Sequence, residues 1–486
     1  MKVWRRPPGP NGGVLLPFLV GIGGLGLASC HGGGPVLPDA DGLANKTTIE
    51  VPGDFTTLAE AFAAADAGDT VLIHGGTYSE TRLEPSPGIR IRGVRTNGQL
   101  PRLEGDDHYE TLRIGGNGAV EQLVHVDSLV IANSWQGIHA FEVNLRLSGC
   151  RFESNRQGLE YSSHSYGIGV ELDGCEFVGN GYLDPQGGNL FGAAMLIETE
   201  GFLTLRNCSI SQNIGGEDVY SAVRVDCPSA PVTFRDCDFD NNKFENRGAL
   251  SIVGCQRLLI EGCRFVGNES SYGGPALDIE GRFSCVNMEV SDCSFVGNLS
   301  QGPGAIEVGW LCFVTIIDSR FMGNRGGTGG AIRLDLEARA DLRRCFLKGN
   351  QCVKPAHPED SLGGGLQVGS GAKLNLRTCT LLENGASAGS AIGGSSGAVV
   401  SVVGSILAFG RGGAAVECGD YTSIGSTDIF GNAGGDWVGS IADQLGGSNL
   451  NVAPGFCNPE EGDYPISWSS PLAVAGAWGA FGAGCD

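Results

Sequence analysis

Acidic residues are the side chains of this sequence that could most directly do chemistry, because two facing carboxylates can cleave a glycosidic bond. Acids that lie close together in the sequence are Asp106-Asp107, Glu217-Asp218 and the pair Asp238 and Asp240, and Asp428 could serve as a single base or nucleophile. With 54 Asp and Glu residues in the chain, such pairs also arise on any solvated surface. The histidines His74, His139 and His164 have no recognisable nucleophile or metal ligand beside them. We therefore predict no catalytic residue from these patterns.

The 17 cysteines lack the short paired spacing that holds a zinc ion. We accordingly predict no metal site and no cofactor. Calcium is the exception that the composition leaves open, because Ca²⁺ could bridge the acidic protein surface to an acidic ligand. The formal charge of −22 otherwise repels nucleic acid and anionic glycans, so we expect no nucleic-acid partner.

A repeat that runs through most of the chain must position these residues. A small residue is followed by an apolar residue two positions later and by asparagine five positions later. The copies begin at Ser128, Cys150, Cys175, Cys208, Cys237, Cys263, Cys293, Ser319, Cys345, Cys379 and Thr427, with a degenerate copy at Ser405. Successive copies are 22 to 34 residues apart, and the runs between them alternate in polarity without helical periodicity. The pattern predicts a solenoid with three short parallel strands per turn, which is a β-helix.

Stacked coils would place equivalent residues of successive copies about 4.8 Å apart. The apolar positions of the repeat include Phe152, Phe177, Phe239, Phe265, Phe295 and Phe321, which we expect to stack inside the tube. The asparagines, for which a left-handed turn conformation is acceptable, are expected to hydrogen-bond from coil to coil at a buried corner.

Cysteine occupies most of the first positions of the repeat, where serine and threonine also occur. That alternation indicates a small, inward-facing residue, so we predict buried thiols there and not disulfides. A second set of cysteines precedes the copies by 7 to 10 residues, and its spacing permits the disulfides Cys227–Cys255 and Cys285–Cys312. A Cys457–Cys485 disulfide could hold the C-terminus.

Caps are expected at both ends, because an open β-helix exposes unpaired strand edges. Thr57 and Glu60 have the spacing of a capping box, and Leu58 and Phe62 share one face of a helix over about 56–67. We expect the β-helix to span 49–455 and a C-terminal cap to span 456–486.

The asparagine repeat resembles the Asn ladder of the pectate-lyase-like superfamily, and the stretch from Ile49 to Tyr78 resembles the N-terminal cap of right-handed β-helix proteins. The motifs at 453–456 and 479–482 resemble the closing segment of secreted β-helix repeat proteins. The resemblance implies an all-β fold: a right-handed, single-stranded parallel β-helix solenoid with a short N-terminal capping helix. The superfamily includes polysaccharide lyases, polygalacturonases and pectin esterases, but a shared fold does not specify function.

Aromatic residues in the loops after the asparagines support a hypothesis about binding. They are Tyr161, Tyr166, Tyr182, Tyr220 and Tyr272, together with Phe244, and acids such as Glu160 and Glu245 lie among them. Stacked coils would bring these loops side by side, and a row of rings with interspersed acids could bind a glycan. The alternative is that each ring pins its own loop to the tube.

The N-terminus predicts export. Lys2, Arg5 and Arg6 precede an apolar run over 14–27 that is too short for an ordinary spanning helix. The run ends in Leu27-Ala28-Ser29-Cys30, which resembles the bacterial lipobox. The resemblance implies a signal peptide over 1–29, acylation of Cys30 and a flexible tether over 30–48. The mature chain would carry a formal charge of −25 and be held by its lipid anchor in the cell outer membrane or at the cell surface.

These features predict an envelope-displayed lipoprotein that binds a glycan, or acts as an adhesive or structural surface protein, without catalysis. A surface protein is the other class of partner that the sequence leaves open. The alternative function is a polysaccharide lyase or glycoside hydrolase acting in a groove along the β-helix. Two or three carboxylates converging with Arg or Lys in a groove across adjacent coils would favour the enzyme, whereas a smooth tube without converging charges would favour display.

Overall fold

The computed structural model describes residues 47–182, 190–216, 219–228, 231–255, 257–281, 287–354, 357, 361–419, 421–474 and 479–485. In these residues, columns of parallel strands wind into a solenoid, so the predicted β-helix is confirmed. Each complete coil passes through sheets that we name A, B, D and C, in that order along the chain. The proposed lipidation residue Cys30 lies outside the described residues.

The strands of sheet A are Thr48–Val51, Thr70–His74, Arg90–Val94, Leu123–Asp127, Asn144–Ser148, Val170–Asp173, Leu203–Arg206, Pro231–Arg235, Arg257–Glu261, Met288–Ser291, Phe313–Ile317, Arg339–Arg343, Lys373–Arg377, Val399–Val403 and Thr422–Gly425. Those of sheet B are Thr77–Tyr78, Arg102–Glu104, Val130–Ala132, Arg151–Glu153, Glu176–Val178, Ser209–Ser211, Asp238–Asp240, Arg264–Val266, Ser294–Val296, Arg320–Met322, Phe346–Lys348, Thr380–Leu382, Ile406–Ala408 and Asp428–Phe430.

The strands of sheet C are Glu110–Gly115, Gln136–Phe141, Gln157–Ser163, Leu190–Thr199, Val219–Asp226, Leu250–Val253, Leu277–Glu280, Ile306–Val308, Ile332–Leu334, Leu366–Val368, Ile392–Gly394 and Val416–Glu417. Those of sheet D are Gly181–Tyr182, Ile214–Gly215, Lys243–Phe244, Glu269–Ser270, Leu299–Ser300, Arg325–Gly326, Gln351–Cys352, Gly385–Ala386 and Arg411–Gly412. Sheet D adds a fourth, two-residue strand after the asparagine of the repeat, where the sequence predicts only three strands per turn.

The register between coils stacks identical positions of the repeat. In sheet B, Phe239 pairs with Phe265 and Phe265 pairs with Phe295. The rings of these two pairs are nearly parallel, with centroids 4.6 and 4.9 Å apart, and all three side chains are fully buried. The predicted aromatic stack inside the tube is therefore confirmed.

The repeat asparagines form a continuous hydrogen-bonded ladder at the corner between sheets B and D. Asn268 is fully buried, and its Nδ2 donates to Phe239 O at 2.8 Å and to Asn298 Oδ1 at 3.0 Å. Its Oδ1 accepts from the backbone N–H and the Nδ2 of Asn242, at 3.1 and 2.9 Å. The side chain thus satisfies polar groups of two neighbouring coils, as predicted.

The predicted repeat copy Ser128–Asn133 is one residue out of register. Val130 pairs with Arg151, and the N–H of Ser134 donates to Asn155 Oδ1 at 3.1 Å. Ser134 and not Asn133 therefore takes the ladder position.

From Asn155 onward, the left-handed turn conformation belongs to the residue before the ladder asparagine. Gly267 has a φ of +63°, and Gly297, which precedes the next ladder residue, has a φ of +62°. Glycine adopts this conformation without a Cβ clash, which frees the following asparagine to point inward. The left-handed conformation that the sequence makes acceptable for asparagine is thus found one residue earlier in these coils.

The cysteines at the first repeat positions are buried thiols, as predicted. They are Cys150, Cys175, Cys208, Cys237, Cys263, Cys293, Cys345 and Cys379. The Cys457–Cys485 disulfide is present. The predicted Cys227–Cys255 disulfide is wrong, because both residues are buried thiols. Cys285, the proposed partner of Cys312, lies outside the described residues.

An amphipathic helix covers the N-terminal end of the tube. It spans Leu58–Ala64, and the Thr57 side chain accepts a hydrogen bond from the Glu60 backbone N–H. The carboxylate of Glu80 accepts two further bonds from the helix N-terminus, at 2.9 and 3.0 Å. Leu58 and Phe62 are buried against the first coils.

The last coil is covered by residues 437–449, which include a 3₁₀ helix at Gly439–Gln444. Ile441 of this helix is fully buried in the core of the tube. The Gln444 side chain accepts from the Ile424 N–H and donates to Thr422 O, both at 2.8 Å. The edge of sheet A is thereby satisfied without another strand.

The C-terminal residues, expected to close the tube, lie along the outer face of sheet B. They include the 3₁₀ helix Pro459–Glu461, the helix Pro471–Val474 and the strands Phe456–Asn458, Asp463–Ser467 and Ala483–Cys485. Phe346 of sheet B packs against Tyr464 and Phe481, with ring centroids 4.9 and 5.0 Å apart. The backbone N–H of Ala480 donates to Thr380 Oγ1 at 2.9 Å. This segment covers outward positions of sheet B that are apolar in the last coils.

We predict that Asn268→Ala lowers the free energy of unfolding by about 1–3 kcal/mol, because ladder groups of two coils would be buried without partners. Chemical denaturation of the two proteins measures the difference. Asn375→Ala is the matched control, since Asn375 is exposed on sheet A. Equal losses in both variants would show that the ladder position carries no special stability.

Candidate functional site

The predicted tyrosines lie on different sheets and turns of the coil. Tyr161 lies on the sheet C strand Gln157–Ser163 and is fully buried. Its hydroxyl donates to Val143 O at 3.0 Å inside the tube. Tyr161 as a glycan-contacting residue is therefore wrong, because the alternation of side chains along the strand directs it into the core.

The other tyrosines do not form one row. Tyr166 is exposed in the turn from sheet C to sheet A, whereas Tyr272 is exposed in the turn from sheet D to sheet C. Tyr220 begins a sheet C strand and is half-buried, with the Arg224 guanidinium 4.9 Å from its ring centroid. Tyr182 pairs with Gly215 in sheet D, and its side chain lies outside the described residues.

A groove runs along the tube over sheet D. Its volume is about 610 Å³, and it crosses the six coils from Ile214 to Val353. It is lined by Ile214, Gly215, Lys243, Phe244, Glu245, Glu269, Ser270, Ser271, Leu299, Ser300, Gln301, Arg325 and Val353. The repeat builds this groove, because in the strands Lys243–Phe244, Glu269–Ser270 and Leu299–Ser300 the first side chain points outward and the second is buried.

The groove combines an apolar floor with balanced charges. Lys243 Nζ and Glu269 Oε2 form an ion pair at 2.7 Å, and Leu299 lies beside Glu269 in the next coil. Arg325 lies exposed in the coil after Leu299. Phe244 contributes to the floor, but its ring is almost completely buried. Such a surface offers hydrogen bonds of both polarities and apolar contacts to a ligand.

A second cluster lies on the outer face of sheet C, at the middle position of successive strands. The register pairs Arg224 with Ser251, Ser251 with Asp278, Asp278 with Glu307 and Glu307 with Arg333. One column of the solenoid thus places two acids on adjacent coils between arginines.

Arg247 joins these acids from the turn between sheets D and C. Its guanidinium forms an ion pair with Asp278 and lies 3.5 Å from Glu280 Oε1 and 3.7 Å from Glu307 Oε2. Arg333 Nη1 lies 3.5 Å from Glu307 Oε1. The cluster brings carboxylates and arginines together across adjacent coils, but it meets only this part of the condition for an enzyme, because its acids are buried and do not line the sheet D groove. In the sequence, this cluster can be recognised from the acid or arginine that stands between two apolar residues in the contributing sheet C strands.

Burial raises the pKa values of the two acids in this column above those of ordinary surface acids. It raises the pKa of Asp278 to about 6, although Arg247 opposes the rise. The pKa of Glu307 rises to about 8 because of burial and then because of the neighbouring Asp278 charge. Burial and the Asp278 charge thus favour the protonated form of Glu307, while Arg333 and Arg247 favour the ionised form.

The acids and histidines singled out in the sequence have local partners. Asp106 Oδ1 accepts the backbone N–H groups of residues 108 and 109 at 3.0 and 2.9 Å. Arg264 forms ion pairs with both Asp238 and Asp240. His74 Nε2 lies 3.0 Å from Glu50 Oε2.

Two other histidines also have acidic neighbours. The backbone N–H of His164, and not its ring, donates to Glu142 Oε1 at 2.7 Å. His139 pairs in register with Glu160, and burial raises the pKa of that carboxyl while His139 opposes the rise. Glu217 and Asp218 lie outside the described residues.

Within the described residues, no group of three or more His, Cys, Asp or Glu side chains could hold a metal ion. Ca²⁺ as a bridge between acidic surfaces stays a prediction. None of the helices in the described part of the chain is long and apolar enough to cross a membrane.

Comparison with known proteins supports the fold. Residues 221–407 match the family model described as a right handed beta helix region, which adds the sense of winding to the parallel solenoid. No curated protein sequence matches the chain.

Similar solved structures have low sequence identity and low TM-scores. A tailspike capsular polysaccharide depolymerase of Acinetobacter baumannii bacteriophage Fri1 is 12% identical, with a TM-score of 0.38 over 63% of this chain and 61% of the tailspike. The A-module of the Azotobacter vinelandii mannuronan C-5 epimerase AlgE4 is 12% identical, with a TM-score of 0.38 over 82% and 94% of the chains. A mannuronic acid specific family 6 lyase from human gut microbiota is 12% identical, with a TM-score of 0.41 over 74% and 86%. The chain therefore spans less than two thirds of the tailspike's length.

Asp428, considered above as a base, is a structural residue beneath the C-terminal segment. Its carboxyl is fully buried, and Oδ1 accepts from the Val452 N–H at 3.0 Å. Oδ2 is buried without a hydrogen-bond partner among the described residues. Burial raises the pKa of Asp428 to about 7 from its ordinary value of 3.8. The folded protein thus keeps this acid neutral where the unfolded chain ionises it.

We predict that the stability contributed by neutral Asp428 is present at pH 4 and lost as the pH rises toward 7 and above. Asp428→Asn keeps an oxygen acceptor for Val452 and cannot ionise. Thermal unfolding at pH 5 and pH 8 should therefore show a larger loss of stability for the wild type than for this variant. Asp292→Asn, at an exposed turn, should retain the wild-type pH dependence. Parallel pH profiles for wild type and Asp428→Asn would contradict the assignment.

Proposed function

We propose that this protein binds a linear, neutral or weakly charged polysaccharide in the sheet D groove. The observation that carries the proposal is the groove itself, which crosses six coils with a volume of about 610 Å³. At about 4.8 Å per coil, its length is on the order of 24 Å, so an extended ligand fits better than a compact one.

The lining matches the chemistry of sugar rings. Ser271 and Gln301 offer hydroxyl and amide groups to sugar hydroxyls, and Leu299 offers an exposed apolar surface to the C–H face of a ring. Lys243 and Arg325 balance Glu245 and Glu269, so the groove does not select for a charged polymer. The chain's charge of −22 further disfavours polyuronates unless Ca²⁺ intervenes.

Display at the cell envelope belongs to the same proposal. The lipobox-like sequence ending at Cys30 supports a lipid anchor in the outer membrane or at the cell surface. A solenoid held by such an anchor would present its long axis, and the groove along it, to polysaccharides outside the cell. Adhesion or a structural role would then follow from binding without catalysis.

The sheet C cluster supports a second candidate function, cleavage of a polysaccharide. Glu307 would act as a general acid, since burial raises its pKa and favours the protonated carboxyl. Arg247 and Arg333 would hold its carboxyl in place. Asp278 is less suited to direct attack, because it is buried and bound to Arg247.

We predict that Glu269→Ala and Leu299→Ala each weaken binding about fivefold, because one hydrogen bond or apolar contact contributes about 1 kcal/mol. An array of neutral oligosaccharides identifies the tightest ligand, and titration calorimetry with that ligand measures the variants. Arg411→Ala is the control, since Arg411 lies on sheet D beyond the groove. Wild-type affinity in both groove variants would show that the groove is not the binding site.

We predict that Glu307→Gln distinguishes binding from cleavage. If the cluster is catalytic, reducing-sugar or unsaturated product from the same polysaccharides should fall about 100-fold, because the variant cannot transfer the proton. The affinity for the groove ligand should stay unchanged. Absence of product from the wild type across the panel would leave binding as the function and exclude the second candidate.

A further inference from the structure

The outer face of sheet A carries a basic surface that the proposed function does not use. We define this basic face by Arg339, Arg343, Arg344, Lys373 and Arg377, all of which are exposed. Four of them lie on two adjacent strands, where Arg339 pairs with Lys373 and Arg343 pairs with Arg377, and Arg344 follows in the turn to sheet B. Five cations are therefore concentrated on two coils of a chain whose formal charge is −22.

Acidic neighbours neutralise only part of this charge. Asp341 accepts from Arg343 Nε at 3.2 Å, and Asp318 accepts from Arg344 Nε at 2.7 Å. Among the described residues, no carboxylate forms an ion pair with Arg339, Lys373 or Arg377. Glu289 and Asp292 also act electrostatically on Arg343 and Arg344, so the net positive charge of the face is carried by Arg339, Lys373 and Arg377.

Exposed apolar side chains border the basic face. On the neighbouring strands they are Phe313, Val399 and Val403. In the turns that lead into sheet A, Trp310 and Leu336 are exposed by 50% and 47%. The surface therefore combines central cations with a large apolar rim, which is unusual for a solvated sheet face.

The geometry points to an anionic lipid surface as the partner of the basic face. Its cations form two columns four residues apart along the strand, about 13 Å at a rise of 3.3 Å per residue. A planar bilayer can contact both columns and the apolar rim together, whereas a single polymer chain would follow one column. Tryptophan and leucine suit the interface of a membrane, and lysine and arginine are attracted to anionic headgroups.

The acidity of the remaining surface does not oppose this contact strongly. At physiological ionic strength the Debye length is about 8 Å, so charges on the far side of the tube are screened from the lipid. The acidic charges on the far side instead favour the orientation in which sheet A faces the membrane. Sheet D does not adjoin sheet A within a coil, so its groove would stay open to solvent. The inference is independent of the proposed glycan binding.

Sedimentation of the full chain with vesicles tests the inference. Vesicles of phosphatidylcholine alone are compared with vesicles that also contain phosphatidylglycerol, at low and high salt. We expect tighter binding to the anionic vesicles, and high salt should remove that preference. Lys373→Glu combined with Arg377→Glu should weaken binding to anionic vesicles roughly tenfold or more, because each cation near the surface contributes to attraction.

The matched control is Arg95→Glu combined with Arg411→Glu, which changes the net charge equally at exposed sites outside the basic face. Any contribution from the N-terminal apolar run or from acylation is common to all these proteins. The inference is overturned if the sheet A variant binds anionic vesicles as tightly as the wild type, or if both double variants lose binding equally. A preference for soluble polygalacturonate without a preference for anionic vesicles would overturn it in favour of a polyanionic glycan.

Discussion

Hydrogen bonds between buried asparagines on successive coils are the interaction on which the rest of this structure depends. Each coil turns a corner where backbone groups are removed from water, and an unpaired group there would cost more than a surface hydrogen bond contributes. The Asn268 amide meets this demand by bonding to Asn242 on one side and Asn298 on the other. A slip of one coil by a single residue would break several of these bonds and turn the stacked phenylalanines outward. The ladder therefore fixes the register of the tube.

A fixed register decides which outward residues meet. In sheet C it brings Asp278 against Glu307, where burial raises the pKa of both carboxyls and the neighbouring arginines oppose the rise. In sheet A it brings Arg339 against Lys373, and both side chains are exposed, so that solvent screens their repulsion. The same stacking rule thus yields a candidate acid in one column and a charged surface in another. The two columns differ in burial, which depends on the turns and loops that cover each of them.

The outer faces of the four sheets consequently differ in their exposure to solvent. The C-terminal segment covers sheet B in the last coils, so that Phe346 packs against Tyr464 and Phe481. Sheet C is partly covered by turns such as the one that carries Arg247. Sheet D keeps an open groove, and sheet A keeps an open, flat face. Exposed surface for outside partners is therefore found on sheets A and D, whereas the acids of sheet C lie in a more enclosed setting.

The sequence by itself determined the elements that depend on periodicity: the coil repeat, the phenylalanine stack, the buried thiols, the Asn ladder and the capping box at Thr57. These follow from residue type and spacing, because identical positions of a solenoid must have identical surroundings. Only the tertiary structure decided that Tyr161 points into the core, that Arg247 reaches Asp278 of the next coil, and that the C-terminus folds back along sheet B. Each of these depends on the phase of a strand or the path of a loop, and loops of unequal length carry no periodic signal. Contacts between residues far apart in sequence, such as the one between Ala480 and Thr380, exist only once the coils have stacked.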